Sequence, residues 1–255
     1  MRHLAWTAPL AILVTVGAAQ PSLAQSGPAP ASTAVTQVSP PADEPASRAP
    51  FVGWSASATF VSVYMWRGFV VADAPNLQPT ASATFGDLTV TSWVNVITAG
   101  STTGWSEHDL TVDYTRGSGA WKMSAGYAND FFPTRTEGRV SNEFYGGLAW
   151  SGVLSPMLKV YQDVSVGNGT YVSAGVSQVF PLAHSGISLS PAVTIGYNHH
   201  QWVTGSGWSD LNVGLTVSLP INAHTDVSAS FNYSKSFQPD WFPSRGYSGI
   251  TIAVR

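Results

Sequence analysis

From Phe51 to the end of the chain, apolar and polar residues alternate one for one in segments separated by Gly, Asn, Asp and Pro. The plainest sets Leu211, Val213, Leu215, Val217 and Leu219 against Asp210, Asn212, Gly214, Thr216 and Ser218. Another sets Val227, Ala229, Phe231 and Tyr233 against Asp226, Ser228, Ser230 and Asn232. A period of two marks a strand with one apolar and one polar face. The pattern predicts twelve strands, near 52–67, 77–86, 88–98, 105–116, 119–129, 140–151, 154–164, 169–180, 187–198, 207–219, 224–236 and 246–255. The first reads WSASATFVSVYMWRG, with Trp54, Tyr64 and Trp66 on one face and Arg67 on the other.

The connections alternate in length. Short turns fall at FGD, RGSG, WSGV, FPLAHSG and PINA, and longer loops at GFVVADAPN, AGSTTG, DFFPTRTEG, SVGNG, HHQWVTGSG and SFQPDWFPSRG. Outer-membrane barrels pair short periplasmic turns with longer external loops and keep both chain ends periplasmic. Twelve strands with both ends on the short-turn side satisfy that rule. The expected fold is all-β, a transmembrane antiparallel β-barrel over residues 51–255. A soluble β-sandwich also alternates, but it dresses its outer face with Lys and Glu. Here the polar face is mostly Ser, Thr, Gly and Asn.

Composition sharpens this. Only 10% of the 255 residues are charged, against about 25% in soluble domains. Past the N-terminus no apolar run reaches the roughly 18 residues of a spanning helix, which leaves a closed barrel as the membrane solution. The net charge of −3 gives no basis for nucleic acid as a partner, and the absence of Cys excludes disulfides and thiolate chemistry. Residues 1–24 have the charged start, apolar middle and Ser22-Leu23-Ala24 cleavage site of a secretory signal peptide. Residues 25–50, rich in Pro, Ala and Ser, read as a disordered periplasmic linker. Export with a barrel points to the bacterial outer membrane. The expected partners are its lipid, small solutes or ions, and the barrel-assembly machinery. The chain ends Ile252-Ala253-Val254-Arg255, without the terminal aromatic common in such barrels.

The segment from VYMWRGFVVADAPNLQPTASATFGDLTVTSWVNV to SEHDLTVDYT resembles the TorF family of outer-membrane porins. Tyr64, Arg67, Gly68, Pro79, Gly86, Trp93, Glu107, Asp109 and Tyr114 match its pattern of an aromatic Y-x-x-R-G opening, Pro, a Gly turn, a Trp strand and an E-x-D strand. The resemblance covers 52–180 and implies a porin-like barrel. It implies no catalytic site.

Alternation places Glu107, Asp109, Asp113, Glu143, Asp163, Asp210 and Asp226 inward, with Arg67, Lys122 and Lys159, and Arg255 at the periplasmic rim. Seven acids against four bases predict a modest preference for cations in a narrow lumen. The same charges could instead pair and close it, with Arg67 pairing Glu107 at the mouth. Trp93, Tyr145, Tyr161 and Tyr171 share the polar face, where they could stack a sugar or fill the interior. Tyr64 and Trp66 are expected at the outer aromatic girdle. A lipid-ester hydrolase would need an outward nucleophile and base. The outward candidates, Ser92 and His108, are expected at different depths, without an acidic orienter. No catalytic residue, cofactor or metal ligand is assigned, and His199-His200 reads as a surface pair whose adjacent side chains point apart. The sequence therefore predicts a passive channel for ions or small polar solutes, the alternative being a barrel with a structural or lipid-hydrolysing role and no open pore.

Overall fold

The computed structural model describes residues 52–182 and 186–255. The signal peptide and linker predicted over 1–24 and 25–50 lie outside the described residues. Twelve strands form the wall: β1 (Val52–Val61), β4 (Asn76–Phe85), β5 (Leu88–Ile97), β6 (Gly104–Ser118), β7 (Trp121–Phe131), β8 (Val140–Trp150), β9 (Met157–Asp163), β10 (Gly169–Ser177), β12 (Ser188–His199), β13 (Ser206–Asn222), β14 (Thr225–Ser236) and β15 (Arg245–Val254). Each pairs antiparallel with its sequence neighbours in the wall, and β1 also pairs with β15, which closes the barrel. Along that seam Thr59 lies opposite Thr251, and their hydroxyls are 2.9 Å apart. A short strand, β11 (Phe180–Pro181), lies against β12, and a hairpin of β2 (Tyr64–Trp66) and β3 (Phe69–Ala72) stands apart from the wall.

The barrel is inside out relative to a soluble domain. Among the described residues, 28 buried side chains are polar or charged and 12 are hydrophobic. Large apolar residues face outward instead, with Phe231 at 60% and Ile250 at 56% exposure. Water would not tolerate so continuous an apolar belt on a monomer, whereas lipid is its natural solvent. Trp54, Phe85 and Trp121 ring one edge of that belt, and Trp105, Trp208 and Tyr233 ring the other. Turns such as Gly86-Asp87 and Ala223-His224 connect the strands at the first edge, and longer loops connect them at the second. The N-terminal end of β1 and the C-terminus share the short-turn edge.

The first predicted strand is corrected. It leaves the wall after Val61, so Tyr64 and Trp66 do not join an outer girdle. The Ser62 N–H still donates to Ser248 O at 2.9 Å, and Ser62 Oγ accepts from Ser248 N at 3.0 Å. Beyond that point the chain turns into the barrel. Arg67 and Gly68 make the hairpin turn with φ of 48° and 86°, the left-handed pair that a two-residue I′ turn requires. Tyr64 and Met65 are each only 2% exposed. Tyr64 packs on Trp93 of β5, with ring centroids 5.5 Å apart. Met65 packs with Val63, Val70 and Tyr247 of β15. The hairpin's alternation is the same inside the lumen as it would be in the wall, which is why the sequence does not separate the two.

Candidate functional site: the plugged lumen

Arg67 rides the hairpin tip to the far wall and is 1% exposed. Its Nη1 and Nη2 donate to Glu143 Oε2 and Oε1 at 2.6 and 2.7 Å, a two-point grip on the carboxylate from β8. Nη1 also donates to Gln201 Oε1 at 2.6 Å. The guanidinium lies over Tyr161 of β9 at 4.0 Å and Tyr171 of β10 at 4.9 Å, and over its neighbour Trp66 at 4.7 Å. The pairing partner is therefore Glu143 and not Glu107 as predicted. A bidentate, charge-assisted contact of this kind offsets the cost of burying both ions.

Wall groups are held in place independently of the arginine. Gln201 follows β12, where its N–H donates to Asn198 Oδ1 at 2.8 Å and its carbonyl accepts from Asn198 Nδ2 at 3.0 Å. Its amide Nε2 donates to Glu143 Oε2 at 2.8 Å. Tyr171 donates to Asp210 Oδ1 at 3.0 Å, and Asp210 also accepts from Ser209 and Asn212. Asp163 accepts from Ser141 Oγ at 2.6 Å and from Ser165 N at 2.8 Å, so it fixes the β9–β10 loop.

Beside Glu143, on β6 and β7, lies an acidic patch. Glu107 and Asp109 face inward from β6, and Asp109 lies directly opposite Asp130 of β7. Among the described residues no protein donor meets either carboxylate oxygen of Asp109, or Oδ1 of Asp130. Deeper, toward the short turns, Asp113 accepts from Tyr145 OH at 2.8 Å and from Thr115, and Lys159 Nζ sits 5.4 Å from the Tyr145 ring. Lys122 is half-buried on β7, and Asp226 pairs with Arg255 at 2.8 Å near the C-terminus. Between them Ser57, Thr84, Thr115, Ser124 and Ser228 are half-buried hydroxyls on the inward face.

The structure thus places Arg67, Trp93, Glu107, Asp109, Asp113, Lys122, Glu143, Tyr145, Lys159, Tyr161, Asp163, Tyr171, Asp210 and Asp226 on the inner side of the wall, but not in one site. It joins Arg67, Glu143, Tyr161 and Tyr171, and leaves Lys122 and Asp226 apart. Alternation alone places Asp130 in a loop, although it continues the 122-124-126-128 face, and gives no periodic signal for Gln201, which lies past a strand end.

Two further expectations change. Ser92 Oγ and His108 Nε2 are not at separate depths but 2.9 Å apart on the outward face, along a diagonal between β5 and β6. His108 also meets the Trp105 ring at 6.4 Å. The rings of His199 and His200 do not diverge but meet edge-on at 4.5 Å, and His199 Nδ1 contacts Ser206 Oγ at 2.6 Å. No grouping of three His, Asp or Glu side chains among the described residues suits a metal ion.

The sequence matches no protein-family model and no curated protein. Solved structures do resemble it. The NanC porin is 9% identical, with 80% of this chain and 100% of that one aligned at a TM-score of 0.54. OmpTΔL8, a loop-deletion mutant of an outer membrane protein of Vibrio cholerae, is 10% identical over 81% of this chain and 99% of that one, at 0.40. OccK5 of Pseudomonas aeruginosa is 8% identical over 79% and 66%, at 0.39. The fold is that of the outer-membrane barrels. In this chain it comprises twelve strands around a polar lumen, with an internal hairpin.

Proposed function

We propose that the protein is an outer-membrane channel for passive movement of ions or small polar solutes, modestly selective for cations, and that the β2–β3 hairpin closes it. The reading is supported by the balance of inward charge. With Asp130 added, eight acids (Glu107, Asp109, Asp113, Asp130, Glu143, Asp163, Asp210 and Asp226) face four bases (Arg67, Lys122, Lys159 and Arg255). A narrow lumen of low dielectric concentrates that excess into a negative potential. The resemblance to the TorF porins agrees with it, as does the apolar belt. Planar-bilayer recording in a salt gradient tests the proposal. The expected reversal potential lies on the cation side, and Arg67→Ala raises conductance. A folded, inserted protein that never conducts, even as Arg67→Ala, would remove the channel.

One observation favours a second reading, lipid-ester hydrolysis, and that is the Ser92–His108 hydrogen bond on the lipid-facing wall. A serine nucleophile also needs its base oriented and its oxyanion bound. Neither Ser92 nor His108 has a carboxylate contact among the described hydrogen bonds. The expected result is that a lipophilic fluorophosphonate leaves Ser92 unmodified. Adduct formation there that is lost in His108→Ala would replace the first reading.

A further inference from the structure

Arg67 behaves as a ligand in a receptor. Four groups of the wall converge on its guanidinium: the Glu143 carboxylate, the Gln201 amide oxygen and the faces of Tyr161 and Tyr171. They come from β8, from the loop after β12, and from β9 and β10. Several are pinned by partners other than Arg67, with Gln201 held by Asn198 and Tyr171 by Asp210. The arginine arrives instead on a hairpin that is not part of the wall sheet. The host is thus built into the barrel, and the guest is carried by a separate element.

We propose that this cage is a binding site for small organic cations bearing a guanidinium or alkylammonium head, and that Arg67 is its tethered occupant. Solute and hairpin then compete for one place. The chemistry selects the class. A carboxylate offers two coplanar acceptors to two N–H groups of a guanidinium, and aromatic faces attract a desolvated cation. The neighbouring Asp130, Asp109 and Glu107 repel an anionic solute from the same region. This inference deepens the channel reading, on which it rests for its physiological sense, by naming the solute class and the event that moves the hairpin.

The chain has no cysteine, so one introduced thiol reports on the hairpin without interference. Met65, 2% exposed on β2, is the reporter as Met65→Cys, with Val70→Cys as the substitute where the first fails to fold. The probe is methylguanidinium, added to the full-length folded protein in vesicles at matched ionic strength. It should speed modification of the thiol by a membrane-impermeant reagent several-fold over sodium, and Glu143→Gln should abolish that dependence. In Arg67→Ala the same cation should raise the thermal midpoint, again only with Glu143 present. An unchanged labelling rate overturns the proposal, leaving the cage as a latch for the hairpin alone, and so does acceleration that persists in Glu143→Gln. Neither readout requires ion current. A protein that binds methylguanidinium but never conducts loses the channel reading and keeps this one.

Discussion

Gly68 satisfies two constraints that no other residue meets together. Its φ of 86° is left-handed, and a Cβ there would stand 2.6 Å from the Phe242 ring and 3.0 Å from Asp210 Cβ. Backbone strain of that kind costs about 1–3 kcal/mol in a side-chain-bearing residue, before any steric term. Gly68→Ala is therefore expected to lower the urea midpoint in detergent micelles and to loosen the hairpin. An unchanged midpoint and unchanged thiol reactivity at Met65→Cys would show that the tip is not seated as described. Beside it, Glu143→Ala strands a buried guanidinium, an event worth roughly 3–5 kcal/mol. Glu143→Gln keeps an acceptor and should cost less; equal losses in the two would mean that the ion pair is not buried. Residues of this kind were only partly legible. Arg67 and Glu143 announced themselves as charges on a polar face, but the face alone does not say which two charges meet. Gln201 carried no signal, because its position depends on a loop with His200 and Trp202 at positive φ.

At the level of elements, alternation defines a strand and its two faces but not the sheet in which it lies. Strands β13 and β14 fall within a few residues of their predicted bounds, because their apolar face has a single possible solvent. The first segment does not, since Tyr64 and Trp66 find an apolar surround in Ala72, Trp93 and Ile97 as readily as lipid would supply one. Phe180, read as the end of one strand, and Pro181, read in the turn after it, pair instead with Leu189 and Ser188. The lipid-facing assignment makes a sharp prediction on β14. Arg at outward Phe231 should cost about 2–4 kcal/mol in bilayer unfolding, whereas Arg at inward Ser230 should cost far less. Equal penalties at both would mean that β14 does not span the bilayer in this register.

For the whole molecule, the connection lengths define two ends. An epitope placed in the 237–244 loop should be reached by antibody on intact cells, whereas one at the Ala223-His224 turn should be reached only after permeabilisation. The reversed pattern would invert the barrel. The lumen's charge is asymmetric along the same axis. Glu107, Asp109, Asp130, Glu143, Asp163 and Asp210 lie toward the loops, while Lys122, Lys159 and Arg255 lie nearer the short turns, with Asp113 and Asp226 among them. Replacing Asp109 and Asp130 together with Asn should shift the reversal potential toward the anion side, and no shift would place the selective region elsewhere.

The reach of the hairpin also sets an order of assembly. Its tip clasps residues 76 and 134 positions further along the chain, so the contact cannot exist until most of the polypeptide has arrived. Contacts that distant form late, because a long loop has to be closed before they reward it. The hairpin also grows from β1, one side of the β1–β15 seam. It is carried inward as that seam zips, before its tip has found its partners on the far wall. Refolding into vesicles should then be biphasic, with wall formation first and a slower internal docking second. Arg67→Ala should erase the slower phase and spare the faster one.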